Sequence, residues 1–238
     1  MATYLITGAS RGLGLELAAQ LAASPPSEVS LVFATARDIS ASGLIGLAKK
    51  FSERIVPVQL DPSDPESLRA AVALVDNHLR SRGLDVLINN SGVQPITPGK
   101  IEMASSTLGS ISLSSQFSGS PAHAYKISKA AMNMMTVQYA LQYADEGFTV
   151  FAVSPGVSPH PFSRLRRASE TLTASTKWLR TDMGGQCADL PVETGAEQVL
   201  KCVNNVGKEL NGRFLNIHVP GWENAPGPNQ YPGGDAPW

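Results

Sequence analysis

The stretch that decides the fold runs from residue 7 to residue 14 and reads Thr7-Gly8-Ala9-Ser10-Arg11-Gly12-Leu13-Gly14. It lies between a short apolar, β-branched run at 3–6 and a helical pattern at 15–23. In such a strand-to-helix turn, Gly8 can adopt a backbone conformation closed to other residues, Gly12 lets a pyrophosphate approach, and Gly14 lets the helix pack on the strand. The helix amino terminus then offers free N–H groups to phosphates. The stretch therefore predicts a dinucleotide site at the amino-terminal edge of the fold.

Length and composition indicate one α/β domain spanning residues 1–238. A chain of 238 residues with 42% hydrophobic content can bury one substantial core. The net charge of −1 gives no support for a nucleic-acid or membrane partner, and no stretch reaches the ~20 apolar residues of a membrane helix. Cys187 and Cys202 form neither a disulfide framework nor a metal pattern, and the histidines are scattered. We expect a cytoplasmic protein with reduced thiols and no metal site.

Strand-like runs recur along the chain, mostly separated by helical patterns, and they fall at 3–7, 29–36, 55–60, 86–89, 101–104, 149–154 and 214–219. This alternation predicts an α/β fold with a single doubly wound, Rossmann-like parallel sheet.

The third helix has the clearest signals among the helical patterns. Asp64 is expected to cap it and Pro65 to occupy its first turn, followed by an apolar stripe of Leu68, Val72, Val75 and Leu79. The last helix is expected at 192–206. Residues 220–238 are rich in proline and glycine and are expected to be extended or loosely packed.

Three further motifs follow the glycine-rich stretch in a fixed order: Asn89-Asn90-Ser91-Gly92, Tyr125-Lys126-Ile127-Ser128-Lys129 and Pro155-Gly156. Together the four resemble the short-chain dehydrogenase/reductase family, whose marks are TGxxxGxG, NNAG, YxxxK and PG. Stretches at 109–111, 181–185 and 212–216 are most similar to carbonyl reductases of the C-factor or sniffer type. The resemblance implies an oxidoreductase that transfers hydride between a nicotinamide and a small-molecule carbonyl or alcohol.

Tyr125 and Lys129 stand four residues apart in a helical pattern, so their side chains share one face. A phenol has an unperturbed pKa of ~10, which a nearby ammonium and an oxidised nicotinamide would lower. Tyr125 is therefore the candidate general acid that protonates the developing alkoxide. The resemblance also implies that Lys129 holds the ribose hydroxyls of the cofactor and that a serine binds the substrate carbonyl. Ser106, at a predicted strand end, is the candidate serine, and Ser112, at the shorter spacing usual in the family, is the alternative.

The choice of nicotinamide cofactor depends on the end of the second strand, which reads Thr35-Ala36-Arg37-Asp38. Ala36 offers no carboxylate to an adenosine ribose, whereas Arg37 and Arg11 could bind a 2′-phosphate. These residues favour NADPH. Two alternatives stay open: Asp38 would reverse the choice if it lay at the strand tip, and Arg37 could simply pair with a surface acid.

The resemblance implies a cofactor-binding role for the following set: Gly8, Ser10, Arg11, Gly12, Leu13, Gly14, Arg37, Asp61, Asn89, Ser91, Gly92, Tyr125, Lys129, Pro155, Gly156 and Thr181. Within it, Asp61 resembles the residue that contacts the adenine amino group, although it could equally be a turn former before Pro62. Thr181 resembles the residue that grips the nicotinamide amide.

The chain departs from the family pattern first between Gly92 and Ser105, where only twelve residues stand. Parallel neighbouring strands need a crossover of a dozen residues or more, and the family carries two helices here. One of those helices supplies a catalytic asparagine and much of the subunit interface. We therefore expect no helical crossover between the fourth and fifth strands, and an uncovered apolar patch on them. Because the interface helix is missing, the homo-oligomer usual in the family is in doubt.

The second departure is an atypical insert at 157–177, which has two interpretations: a longer substrate lid, or the translation of a retained intron. The two departures leave two hypotheses for the whole chain. It is a working NADPH-dependent reductase, or it is a catalytically weak or inactive nucleotide-binding relative.

Overall fold

The computed structural model describes residues 1–80, 82–91, 94–96, 99–101, 106–118, 123–155, 179–180, 190–225 and 230–238, with 94–96 and 99–101 described by their backbone. The chain divides into two compact units, residues 1–93 and 94–238. Each unit is described by itself. Gly92, Gly156, Thr181, Cys187 and the insert at 157–177 lie outside the described residues.

The first unit alternates strands and helices in the order β1 (Ala2–Ile6), α1 (Gly12–Ala23), β2 (Val29–Ala36), α2 (Ser42–Lys50), β3 (Ile55–Gln59), α3 (Pro65–Leu79) and β4 (Val86–Ile88). Its four strands are all parallel and lie in the order β3-β2-β1-β4. β1 is central, so it is paired on both sides and the loop that follows it emerges from the middle of the sheet. The predicted α/β class with a parallel central sheet is confirmed.

Helix α3 begins as its sequence signals predict but buries a different stripe. The Asp64 carboxylate accepts a hydrogen bond from the amide of Glu66 at 3.0 Å, and Pro65 is the first helical residue. Val75 and Leu79 are buried as expected, together with Ala71, against Phe33 and its neighbours on the sheet. The prediction that Leu68 and Val72 belong to the buried stripe is wrong, since both are exposed, Val72 by 67%. The true stripe contains a small residue that a count of large apolar residues overlooks.

After β4 the chain forms a two-stranded antiparallel hairpin, β5 (Gln94–Ile96) and β6 (Gly99–Ile101). The prediction of a parallel fifth strand at 101–104 is wrong at Ile101, which pairs antiparallel with Gln94. No helix occurs between β4 and Ser106 in the described part of that interval. In β4, Leu87 is 55% exposed, as the expectation of an uncovered apolar strand requires.

The second unit also contains α4 (His123–Gln142), β7 (Ala152–Ser154), α5 (Val192–Asn204) and β8 (Phe214–Asn216), with short 3-10 turns between them. β7 and β8 pair in parallel. The expected last helix at 192–206 thus ends two residues early.

Residues 230–238 pack against β8, so the expectation of a loose tail is wrong for them. Leu215 pairs antiparallel with Asp235, and the amide of Ala236 donates to the Phe214 carbonyl at 2.8 Å. The Trp238 ring stacks on Phe214 with centroids 5.2 Å apart, and Tyr231 is fully buried. The aromatic rings of Tyr231 and Trp238 pack this segment in place, which its proline and glycine content does not predict.

Candidate functional site

The glycine-rich loop after β1 has a backbone that other residues would not tolerate. Gly8 has φ +72°, and a Cβ added there would lie 2.9 Å from the Cα of Ser91. A Cβ on Gly14 would overlap the carbonyl oxygen of Gly8 and the side chain of Asn90. Gly8 therefore makes the turn and Gly14 brings helix α1 against the loop, in the way the sequence argument assigns to them.

The loop is fixed to the end of β4 by hydrogen bonds centred on Thr7 and Asn90. The Asn90 amide nitrogen Nδ2 donates to the carbonyl oxygens of Thr7 and Gly8 at 3.0 and 3.1 Å. The Thr7 hydroxyl accepts from the backbone amides of Asn90 and Ser91 at 3.0 and 2.9 Å. Asn90 and Thr7 were absent from the predicted site. Their signal was present in the sequence, because each belongs to one of the two motifs.

The end of β2 presents the groups that distinguish the two nicotinamide cofactors. The strand ends at Ala36, and Arg37 is exposed just beyond it. The Asp38 carboxylate instead accepts from the amide and hydroxyl of Ser40, at 2.8 and 2.5 Å, and these bonds lower its pKa. Asp38 thus lies beyond the strand tip and is occupied in a local turn, so the condition under which it would favour NADH is not met.

Asp61 takes part in a similar turn after β3. Its carboxylate accepts from the amide and hydroxyl of Ser63, at 2.9 and 2.7 Å, and these bonds lower its pKa. The charge of Arg37 lowers that pKa further, so the arginine lies within electrostatic reach of Asp61. The turn-forming interpretation of Asp61 matches this geometry. Elsewhere in the predicted set, Arg11 and Asn89 are exposed, and Ser10, Leu13, Ser91 and Pro155 are half-buried.

In the second unit, the structure brings Tyr125 and Ser106 together. The Ser106 hydroxyl hydrogen-bonds the Tyr125 hydroxyl, and both residues are buried. Burial raises the pKa of Tyr125 to about 12, and the bond from Ser106 only partly offsets that rise. Burial in the protein therefore acts against the lowering of this pKa that is expected from an ammonium and an oxidised nicotinamide together.

Lys129 lies one helical turn beyond Tyr125 and is 1% exposed. Its ammonium nitrogen Nζ stands 5.7 Å from the centre of the Tyr125 ring. Burial lowers the pKa of Lys129 to about 7. Burial therefore shifts both groups toward their neutral forms.

Gly109 and Asn133 complete this cluster and were not predicted. A Cβ on Gly109 would lie 2.7 Å from the Lys129 carbonyl carbon and 2.9 Å from the Ala130 nitrogen, so only glycine lets the Ser106 turn approach α4 this closely. Buried Asn133, four residues after Lys129, donates from Nδ2 to the Gly109 carbonyl at 3.4 Å. Its position in the i, i+4 series Tyr125, Lys129, Asn133 was the signal that could have found it.

The two candidate serines occupy different environments. Ser106 is buried, and its Oγ also accepts from the Leu108 amide at 3.2 Å. Ser112 is exposed, and its backbone amide donates to the Trp238 carbonyl at 3.0 Å. Of the two, Ser106 is the one whose hydroxyl lies against Tyr125.

The described residues hold no group of three or more histidine, cysteine, aspartate or glutamate side chains suited to a metal ion. Within those same residues, no helix has the length and apolar character needed to cross a membrane.

Comparison with known proteins places these two groups of residues in context. Residues 2–108 match the family described as short chain dehydrogenase. A short-chain dehydrogenase/reductase of Aspergillus aculeatus is 31% identical, with 92% of this chain and 98% of the relative covered.

Solved structures with similar folds include two carbonyl reductases. An NADPH-bound carbonyl reductase from chicken fatty liver superposes with a TM-score of 0.71 at 27% identity, over 90% of this chain and 91% of that one. The carbonyl reductase Sniffer of Drosophila melanogaster gives 0.70 at 25% identity, over 90% and 96%.

Proposed function

The chain belongs to the short-chain dehydrogenase/reductase family, whose members are oxidoreductases acting on carbonyl and alcohol groups, and we propose that it reduces a small-molecule carbonyl with NADPH. Tyr125 is the proton donor, Ser106 binds the carbonyl oxygen, and Lys129 binds the ribose of the cofactor and supplies positive charge.

The observation that carries this proposal is the buried hydrogen bond between Ser106 and Tyr125 beside Lys129. A tyrosine and a lysine one turn apart are usually a solvated helix face, but here both are buried and both have strongly shifted pKa values. Groups with such shifts concentrate at functional sites, because keeping them costs folding free energy. Among the described residues no acidic group offsets the burial of Lys129, which is more typical of a functional group than of a purely structural helix face.

The residues around the glycine-rich loop fit a dinucleotide with a 2′-phosphate. Gly8 and Gly14 let the loop pack closely at the amino terminus of a twelve-residue helix, whose backbone N–H groups can bind phosphate. Ala36 offers no carboxylate, Asp38 is occupied by Ser40, and Arg11 and Arg37 are exposed. The NADPH-bound state of the similar chicken carbonyl reductase supports the same cofactor.

Bound NADPH would supply the hydride for reduction of the carbonyl carbon. Tyr125 donates its hydroxyl proton to the carbonyl oxygen as charge develops there, and the phenolate left behind regains a proton from solvent. Ser106 donates a second hydrogen bond to the same oxygen and opposes the build-up of negative charge. When Lys129 is protonated, its charge favours the phenolate that Tyr125 becomes, and so aids proton release.

The test is a fluorescence titration with NADPH and with NADH, followed by turnover of 4-nitrobenzaldehyde as a probe carbonyl. We expect NADPH to bind at least about tenfold more tightly than NADH, since a lost charge-assisted phosphate contact costs roughly 1.5–3 kcal/mol. The double variant Arg11→Gln, Arg37→Gln should remove this preference. A preference for NADH in the wild-type chain would refute the cofactor assignment.

A second candidate is a nucleotide-binding protein without catalysis. It is favoured by the hairpin β5–β6, which stands where the family has crossover helices, one carrying a catalytic asparagine. The alignment with the Aspergillus relative also runs over 273 positions, more than the 238 residues of this chain. Under this alternative, NADPH binds but wild type and Tyr125→Phe turn over the probe equally slowly.

We also propose a cellular location and an oligomeric state for the protein. A cytoplasmic location is supported by the free thiol of Cys202, the cysteine within the described residues. The interface helix that the family uses has no counterpart in the sequence, so we propose a weakened homo-oligomer, to be measured by sedimentation velocity.

A further inference from the structure

Lys126 stands beside Tyr125 in the first turn of α4, a position where a lysine is unfavourable for the helix itself. A helix amino terminus carries partial positive charge, so a cation there costs free energy and an acid would stabilise it. The first turn of α4 contains no acidic residue. The reason for a lysine at this position therefore has to be sought in its contacts outside the helix.

The Lys126 ammonium nitrogen Nζ donates to the carbonyl oxygen of Phe117 at 2.5 Å. Phe117 ends the 3-10 turn Ser114–Phe117, and carbonyl groups at such an end lack partners within the turn. The lysine is partly buried, and burial lowers its pKa. The contact is thus a charge-assisted hydrogen bond to the carbonyl end of a short turn, in a partly dehydrated setting.

Phe117 is in turn part of the packing around the candidate catalytic hydroxyls. Its ring is buried in one cluster with Leu108 and Tyr125. The amide of Leu108 donates to the Ser106 Oγ, and that serine hydrogen-bonds Tyr125. Two consecutive residues of α4 therefore hold Phe117. Tyr125 packs against the Phe117 ring, and Lys126 donates a hydrogen bond to the Phe117 carbonyl oxygen.

We propose that Lys126 is a positioning residue, which holds Phe117 and, through the packing of Phe117 on Leu108, keeps the Ser106 hydroxyl against Tyr125. The inference rests on the proposed function for its consequence in catalysis, since the bonded pair has to act on a carbonyl. Without the ammonium, the turn at 114–117 loses its anchor to α4. The distance between the two hydroxyls then varies, and fewer molecules present both to the same oxygen.

The experiment compares Lys126→Met, which keeps an unbranched side chain of nearly the same length and removes the charge, with Lys126→Arg, which keeps a cationic donor. Lys208→Met is the matched control, since Lys208 is exposed in another 3-10 turn of the same unit. With 4-nitrobenzaldehyde as probe, we expect kcat of Lys126→Met to fall roughly tenfold or more while the Kd for NADPH changes by less than about twofold. Lys126→Arg and Lys208→Met should stay within about threefold of wild type.

The pH profile separates positioning from a general loss of structure. Ser106 partly offsets the raised pKa of Tyr125, so a displaced serine should move the basic limb of the Lys126→Met profile to higher pH. The limb should stay in place in Lys126→Arg. An unchanged kcat and profile in Lys126→Met, or an arginine variant as slow as the methionine variant, would overturn the proposal.

A readout that needs no turnover keeps the proposal distinct from the proposed function. If wild type proves inactive, the function has failed, and hydrogen exchange of the 106–118 peptide still tests the anchor. Lys126→Met should accelerate its exchange by roughly tenfold, with the α3 peptide unchanged and Lys126→Arg protected as in wild type. Equal exchange of 106–118 in all four proteins would show that Lys126 does not hold this segment.

Discussion

The glycine-rich loop of the first unit and the Tyr125 cluster of the second unit are built in opposite ways. In the loop, neutral backbone groups are bonded by Thr7 and Asn90, and the close contacts cost little once glycine is present. In the cluster, two ionisable side chains are buried, and burial shifts the pKa of each so as to favour its neutral form. Binding geometry can thus be made from satisfied hydrogen bonds, whereas reactive groups are kept at a cost to stability.

Removing the Tyr125 hydroxyl should produce the largest effect and confine it to chemistry. Tyr125→Phe keeps the ring in its cluster with Leu108 and Phe117, so the fold and NADPH binding should be preserved. Loss of a general acid lowers the rate by about 10²–10⁴-fold, which is the expected fall in kcat for the probe aldehyde. Equal rates for the variant and wild type would instead support the non-catalytic alternative.

Adding a methyl group to the glycine-rich loop should lower the stability of the first unit and weaken cofactor binding. Gly14→Ala places a Cβ against the Gly8 carbonyl, so we expect a loss of about 1–3 kcal/mol in urea unfolding and weaker NADPH binding. Gly46→Ala in helix α2 is the control, because nothing lies within 4 Å of its added Cβ. The control should gain about 0.5–1 kcal/mol, as expected for alanine inside a helix. A Gly14→Ala protein as stable as wild type would show that the loop is looser than its hydrogen bonds indicate.

The cost of the buried lysine should appear as a pH dependence of stability. Lys129 has a folded pKa of about 7 and an ordinary value of 10.5, so between these pH values the unfolded chain binds the extra proton. The free energy of unfolding should therefore rise with pH above 7, by at most about 1.4 kcal/mol per pH unit from this residue.

Lys129→Met should flatten that rise and stabilise the fold below pH 7 while abolishing turnover, since it removes a buried charge. Lys49→Met, at an exposed position in α2, should leave the slope unchanged. The measurement is urea unfolding at pH 6, 7, 8 and 9. A slope that Lys129→Met does not alter would mean that the lysine is hydrated and that its cost is small.

The smallest effect is expected at the end of α3, which belongs to neither region. Arg80 caps this helix in the left-handed conformation, with φ +48°, which costs a residue with a Cβ about 1 kcal/mol or more. Arg80→Gly relieves this strain and frees the unfolded chain, so a net gain of about 0.5 kcal/mol is expected. Thermal unfolding should show it, with NADPH binding and turnover unchanged.

Local signals predicted much of the first unit because its elements are short and their ends carry specific residues. The boundaries of β2 and the start of α3 follow from a β-branched run and from Asp64 and Pro65. The errors arose where burial depends on distant partners: Val72 fits a helical stripe but points to solvent, whereas Ala71 fits against Phe33. The prediction of a loose tail failed for the same reason, because proline content gives no sign that Trp238 stacks on Phe214.

The α/β alternation, the glycine turn after β1 and the placement of Tyr125 and Lys129 on one helix face follow from the amino-acid sequence alone. Each depends on backbone conformation or helical spacing within a few residues. The tertiary structure alone decided which serine meets Tyr125, that Asn90 fastens the loop, and that both ionisable groups favour their neutral forms. These outcomes depend on what surrounds a side chain after folding. Hydration and close contact are properties of the packed chain, and residues far apart in the sequence supply them.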